Sequence, residues 1–109
     1  LLKNGHRLDS GDGFRRTPLS YAAEKGQEAV VKLLLEKGAD IEADDGYVGW
    51  TPLQDAAESR QLEIVKLLLK NDANIEANRL GWTPLERSSM KGHVEVVQLL
   101  LERGANIEA

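Results

Sequence analysis

The chain is 109 residues long, 41% hydrophobic and 29% charged, with a formal net charge of −4. That is enough for one modest domain, and the acidic balance lacks the clustered Lys and Arg that displace counterions from nucleic acid. With no cysteine there is neither a disulfide framework nor a thiolate nucleophile, and no apolar run approaches the roughly 18–20 residues of a membrane span.

The chain opens on Leu1-Leu2 rather than Met and reads as an excerpt. Its first ten residues, LLKNGHRLDS, align with the later LLEKGADIEA and read as the tail of a unit that begins outside the sequence. The first predicted helix opens at Thr17, whose hydroxyl can accept an orphan N–H of the first turn. Pro18 takes the first helical position, where a missing N–H costs nothing. Leu19, Ala22 and Ala23 follow at helical spacing, and Gly26 supplies a left-handed stop. A second, more apolar helix, EAVVKLLLEKG, starts at Glu28 and runs to Gly38. The segment ADIEA then leads into a polar arm with a turn.

The same order returns twice. Thr51, Pro52, Leu53, Ala56 and Ala57 open the second copy, and Thr83, Pro84, Leu85, Ser88 and Ser89 the third. The second helices read LEIVKLLLKND from Leu62 and VEVVQLLLERG from Val94, each followed by ANIEA. Small residues at the paired positions predict first helices that pack closely on their neighbours. Glu28, Glu63 and Glu95 near the starts of the second helices, and Lys37, Lys70 and Arg103 near their ends, suit the helix dipole. Thr17 and Thr51 are 34 residues apart, Thr51 and Thr83 are 32 apart, and a breaker follows each Thr 21 residues on, at Gly38, Asp72 and Gly104. The length variation therefore sits in the arms, as expected when helices are fixed and loops are free. Two short helices cannot bury so many leucines alone, whereas stacked copies can.

The pattern T-P-L-x-x-A-A-x-x-G-x-x-x-(V/I)-V-x-L-L-L-x-x-G-A-(D/N)-I-x-A resembles the ankyrin repeat along nearly the whole chain. The resemblance implies an all-α fold, an ankyrin-repeat α-solenoid of helix-turn-helix units with β-hairpin arms. It divides the chain into the tail of a preceding repeat at 1–10 and repeats at 11–43, 44–77 and 78–109. It also implies a protein-binding module that works through arm tips and the concave face of the first helices. The departures are specific. The family His after T-P-L, which ties the loop of its own repeat, is replaced by Ser20, Gln54 and Glu86, so looser loops are expected. Repeat two has lost both turn glycines, to Arg60 and Asp72, so strain is expected there, at roughly 1 kcal/mol for a non-glycine left-handed residue. The Asn that some members carry before the last Ala, and that an asparaginyl hydroxylase modifies, is Glu42, Glu76 and Glu108 here, with Asp9 in the partial repeat.

Residues for chemistry are few. His93 starts a second helix where Gln27 and Gln61 align, and reads as a solvated polar residue, as does His6 near the beginning. Asp9-Asp12-Gly13 and Asp44-Asp45-Gly46 lack the ligand ladder of a calcium loop and read as turns. No phosphate-binding Gly-Lys-Ser/Thr loop and no nucleophile elbow occurs. No catalytic residue, metal site, cofactor or small-molecule ligand is expected. The candidate partner-binding residues are Phe14, Arg16, Tyr21, Tyr47, Trp50, Asp55, Trp82 and Arg87, which fall on the arms and first helices, where aromatics and Arg anchor interfaces. Trp50 and Trp82 can equally cover a neighbouring arm, and Asp55 and Arg87 can pair with each other. Glu24-Lys25, Glu58-Ser59 and Met90-Lys91 close the first helices and form a rim.

The expected partner is another protein or another domain of the parent chain, with neither nucleic acid nor membrane. The absence of Asn-x-Ser/Thr favours an intracellular setting, cytoplasmic or nuclear. The alternative is a spacer within a longer array, since Val96, Val97, Leu99, Leu100 and Leu101 would have one flank without a partner and no polar capping repeat covers them.

Overall fold

The structure, a computed structural model, describes residues 17–44, 50–77 and 82–108. They form six helices: α1 (Pro18–Lys25), α2 (Glu28–Glu36), α3 (Pro52–Glu58), α4 (Leu62–Lys70), α5 (Pro84–Met90) and α6 (Val94–Glu102). Among the described residues there is no β-strand beyond an isolated bridge at Trp82, and the arm tips expected as hairpins lie outside them.

Each repeat starts as its Thr-Pro pair dictates. Thr17, Thr51 and Thr83 have extended backbone and accept the N–H of Ser20, Gln54 and Glu86, with proline at the first helical position. In α3 and α5 the bond is reciprocated, because the Gln54 and Glu86 side chains accept the N–H of Thr51 and Thr83 at 2.9 Å. Two orphan donors per helix are thereby satisfied. Of the three residues standing in for the family His, Gln54 and Glu86 thus tie back to the start of their own helices after all, whereas the Ser20 hydroxyl is donated to Asp55 of the next repeat. Gln54, fully buried, also donates to the Trp82 carbonyl in the next repeat.

The short first helices end at positive φ, and so do the longer second helices. Gly26 and Gly92 (φ 75° and 73°) and Gly38 and Gly104 (93° and 99°) adopt this conformation at little cost. Arg60 (62°) and Asp72 (68°) adopt it without being glycine, as expected for repeat two.

The first helices form one layer, α1 on α3 on α5, and the second helices another, α2 on α4 on α6, with each pair also packed within its repeat. The molecule extends 44 × 25 × 19 Å, a stack and not a closed bundle. Its core runs between the layers: Leu19, Leu53 and Leu85 from the first helices, Val31, Ile64, Val65, Leu68, Val96 and Leu100 from the second. Ala22, Ala23, Ala56 and Ala57 are at most 1% exposed, which is what lets the first helices approach closely. In repeat three Ser88 is buried and satisfies its hydroxyl on the Pro84 and Leu85 carbonyls, whereas Ser89 is exposed. Of the five apolar residues expected on an open flank, Val96, Leu99 and Leu100 are buried and only Val97 and Leu101 reach that flank.

Candidate functional site

The inner face is built from the rows that recur every repeat on α1, α3 and α5. Its first row holds Tyr21, Asp55 and Arg87. Tyr21 is 44% exposed, and the Lys25 ammonium stands 5.6 Å from its ring centroid one helical turn on. Asp55 does not share that surface. It is 5% exposed and accepts the Ser20 hydroxyl at 2.7 Å, so its carboxylate serves the α1–α3 contact. The buried Ser20 opposite it, too short to reach solvent, is what draws the side chain inward.

Arg87 does not pair with Asp55. Its guanidinium donates to Glu58 Oε2 at 2.6 Å and lies 4.5 Å from the Trp50 ring centroid and 5.5 Å from that of Trp82. Lys91 approaches the same carboxylate at 3.7 Å. The Arg87 and Glu58 side chains are 14% and 22% exposed, a partly desolvated setting in which stacking and ion pairing exceed their worth in open water. Arg87 Nε and Trp50 Nε1 are buried with no hydrogen-bond partner among the described residues, so beside the bond to Glu58 the ring faces supply the rest of the contact. Trp50 is half-buried, while Trp82 keeps 37% of its surface and Met90 59%.

The structure thus brings Trp50, Trp82 and Arg87 together, leaves Tyr21 exposed beside Lys25, and withdraws Asp55. Phe14, Arg16 and Tyr47 lie outside the described residues. Glu58, Met90 and Lys91, read from sequence only as rim, complete the inner face between α3 and α5.

Two sets of inter-repeat bonds escaped the sequence reading. Gln61 Nε2 donates to the Glu24 carbonyl at 2.9 Å, and His93 Nε2 lies 2.8 Å from the Glu58 carbonyl. His93 is therefore a staple across repeats, not a solvated helix start, and it satisfies a carbonyl that the end of α3 leaves open. In the arms, Glu42 Oε2 accepts the Asn74 N–H and Glu76 Oε2 the Asn106 N–H, both at 2.7 Å. The recurrence of Glu at one position in every repeat was the available signal. Among the described residues no group of His, Asp and Glu is placed to hold a metal, and no helix is long and apolar enough to cross a membrane.

A family model described as ankyrin repeats (3 copies) matches residues 1–79 and 43–109. Over 41 residues the chain is 49% identical to the ankyrin repeat protein FPV244 of fowlpox virus (strain NVSL). That stretch is 38% of this chain and only 6% of the length of this curated relative.

Proposed function

The chain belongs to the ankyrin repeat family, and from that premise we propose that it is a protein-binding module gripping its partner along the inner face of α1, α3 and α5 and the arms beside it. The observation that carries this reading is the distribution of exposed side chains. Tyr21, Trp82 and Met90 keep 44%, 37% and 59% of their surface on the inner layer, with the cations Lys25 and Lys91 beside them. Aromatic and Met side chains with flexible cations alongside are the composition of an interface core and its rim. In this reading Trp82 is a contact and Arg87 a support that presents it, while Asp55 contributes nothing directly. Phe14, Arg16 and Tyr47 stay with the proposed contact set on their arm positions, and Trp50 as the inner wall of the Arg87 stack. The partner is another protein or another domain of the parent chain.

Photocrosslinking residues placed at Tyr21, Trp82 or Met90 test the face in cells, against control positions Lys66 and Gln98 on the outer helices. Adducts are expected from the inner positions. Adducts from the outer positions alone would overturn the face. The spacer reading keeps one specific support, the apolar residues that the outer layer exposes at both flanks of the stack: Val30 and Leu33 on one side, Leu101 and Ile107 on the other.

A further inference from the structure

Charge is sorted by side of the stack. In the first-helix segments, 17–26, 50–60 and 82–92, the carboxylates are Glu24, Asp55, Glu58 and Glu86, and none of them is exposed. Three of them have internal duties: Asp55 accepts the Ser20 hydroxyl, Glu58 the Arg87 guanidinium and Glu86 the Thr83 N–H. The exposed charges of these segments are Lys25, Arg60 and Lys91, all cations. The second helices differ, exposing Glu28, Glu63 and Glu95 as well as Lys32 and Lys66. On a chain of net charge −4, the first-helix side is thus the basic one among the described residues.

The three cations fall on one edge. Lys25 and Lys91 occupy the same position of their repeats, and Arg60 the next one, in the turn that follows α3. Since α1 packs on α3 and α3 on α5, these turns follow one another along the stack. Arg60 stands apart. It belongs to the middle repeat, which has a neighbour on each side, and it is exposed all the same. It holds φ 62° where Gly26 and Gly92 hold 75° and 73°. Asp72, the other non-glycine residue of this kind, has a short polar side chain that tolerates the conformation, and Arg has not. Among the described residues the Arg60 side chain has neither a hydrogen bond nor an ion pair, so no contact within the fold offsets the strain. A cation suits the negative end of a helix, but a lysine in place of Ser59, as at Lys25 and Lys91, would serve that end from an unstrained position. Backbone strain that no internal contact requires gathers at binding and switch sites. Lys91 agrees with this. Its ammonium stands 3.7 Å from Glu58 Oε2, a carboxylate that Arg87 already engages at 2.6 Å, and its side chain keeps 48% of its surface.

We propose that this edge receives an acidic, extended segment of the partner protein, whose carboxylates meet Lys25, Arg60 and Lys91 in turn. The inference rests on the reading of the inner face as a protein-binding surface, and adds the charge of what binds there. Packed helices lie roughly 8–10 Å apart and an extended chain rises about 3.3 Å per residue, so one repeat matches about three residues of the segment. The recognised pattern is therefore an acidic residue at about every third position over about seven residues. Cations one repeat apart are too sparse to match the continuous phosphate charge of a nucleic acid, which favours side-chain carboxylates.

Selection of a random peptide library on the purified chain tests this, followed by fluorescence anisotropy with the enriched peptides as synthetic probes. The enriched peptides are expected to be acidic, with Asp or Glu about three residues apart. Arg60→Gly removes strain as well as charge. This variant should melt no lower than wild type and yet bind the probes roughly two- to fivefold more weakly, the worth of one exposed ion pair. Lys91→Glu should weaken them further, Lys66→Glu on α4 should leave them unchanged, and added salt should weaken wild-type binding. Enriched peptides that are neutral or basic, or acidic ones indifferent to Arg60→Gly and Lys91→Glu, would overturn the proposal. If such peptides still lost affinity on Tyr21→Ala or Trp82→Ala, the inner face would bind protein without selecting charge. If they did not, or if no peptide were enriched, the inner-face reading would go down with the proposal. Phosphatidylserine vesicles or a single-stranded oligonucleotide that bound more tightly than the peptides, with the same dependence on Arg60 and Lys91, would overturn the choice of a protein segment.

Discussion

Arg60 and Asp72 hold the left-handed conformation that Gly26, Gly92, Gly38 and Gly104 hold in the other repeats, and each pays for its Cβ. Arg60→Gly is expected to raise stability by about 0.5–1 kcal/mol, which for a domain of this size moves the melting temperature up by about 2–8 °C. A flat or lowered melting temperature would refute the strain. The reverse change separates two equivalent glycines. An added Cβ at Gly26 would run into the Gln61 amide, which is itself fixed on the Glu24 carbonyl, whereas one at Gly92 meets nothing within 4 Å. Both substitutions incur the roughly 1 kcal/mol of a left-handed non-glycine residue, but only Gly26→Ala also displaces a hydrogen bond worth about another 1 kcal/mol. Chemical denaturation should therefore find Gly26→Ala the costlier of the two, and equal losses would count against the staple. The strained positions were legible in sequence because a missing glycine at a fixed offset from Thr-Pro is a one-residue signal. The staples were not, since Gln61 and His93 differ in type and their acceptors are backbone carbonyls in another repeat.

At the scale of helices, the α3–α5 contact depends on Glu58 and Arg87 with Trp50 and Trp82 around them. Glu58→Ala leaves the guanidinium partly buried without its carboxylate. The loss expected is about 1–2 kcal/mol, below the roughly 3–5 kcal/mol of a fully buried pair because both side chains keep some water. Arg87→Ala has a second, spectroscopic readout. The chain holds two tryptophans and both stack on this guanidinium, so their emission reports on the cluster alone. A red shift is expected as water enters, and unchanged emission would mean that the rings do not rely on Arg87. The sequence placed Trp50, Trp82 and Arg87 in one set but could not rank them, since pairing across a 29-residue separation depends on how the helices align. The burial of Asp55 was illegible for the same reason: it sits on the expected row, yet the buried Ser20 hydroxyl of the neighbouring helix holds its carboxylate inward. Helix starts, by contrast, were fully legible, because Thr-Pro acts within one turn and needs no tertiary context.

Across the whole stack, local strain and neighbour contact oppose each other in repeat two. It carries both left-handed non-glycine residues, at roughly 1 kcal/mol each. It is also covered on both sides: every residue from Thr51 to Ala57 is buried, and α4 buries Ile64, Val65 and Leu68. Leu33 and Leu101 keep 53% and 38% of their surface where Leu68 keeps none, so each such side chain that is covered contributes about half of the 1.5–3 kcal/mol of full burial, roughly 0.7–1.5 kcal/mol. Three or more such side chains outweigh the strain, so contact wins. In a stack whose units touch only their neighbours, stability follows these interfaces and the flanks open first. Native-state hydrogen exchange should accordingly find the slowest amides in α3 and α4, with α2 and α6 opening at lower free energy even though their turns are relaxed. Slower exchange in α2 or α6 than in α4 would show the reverse ranking, with backbone strain governing local stability and inter-repeat burial secondary.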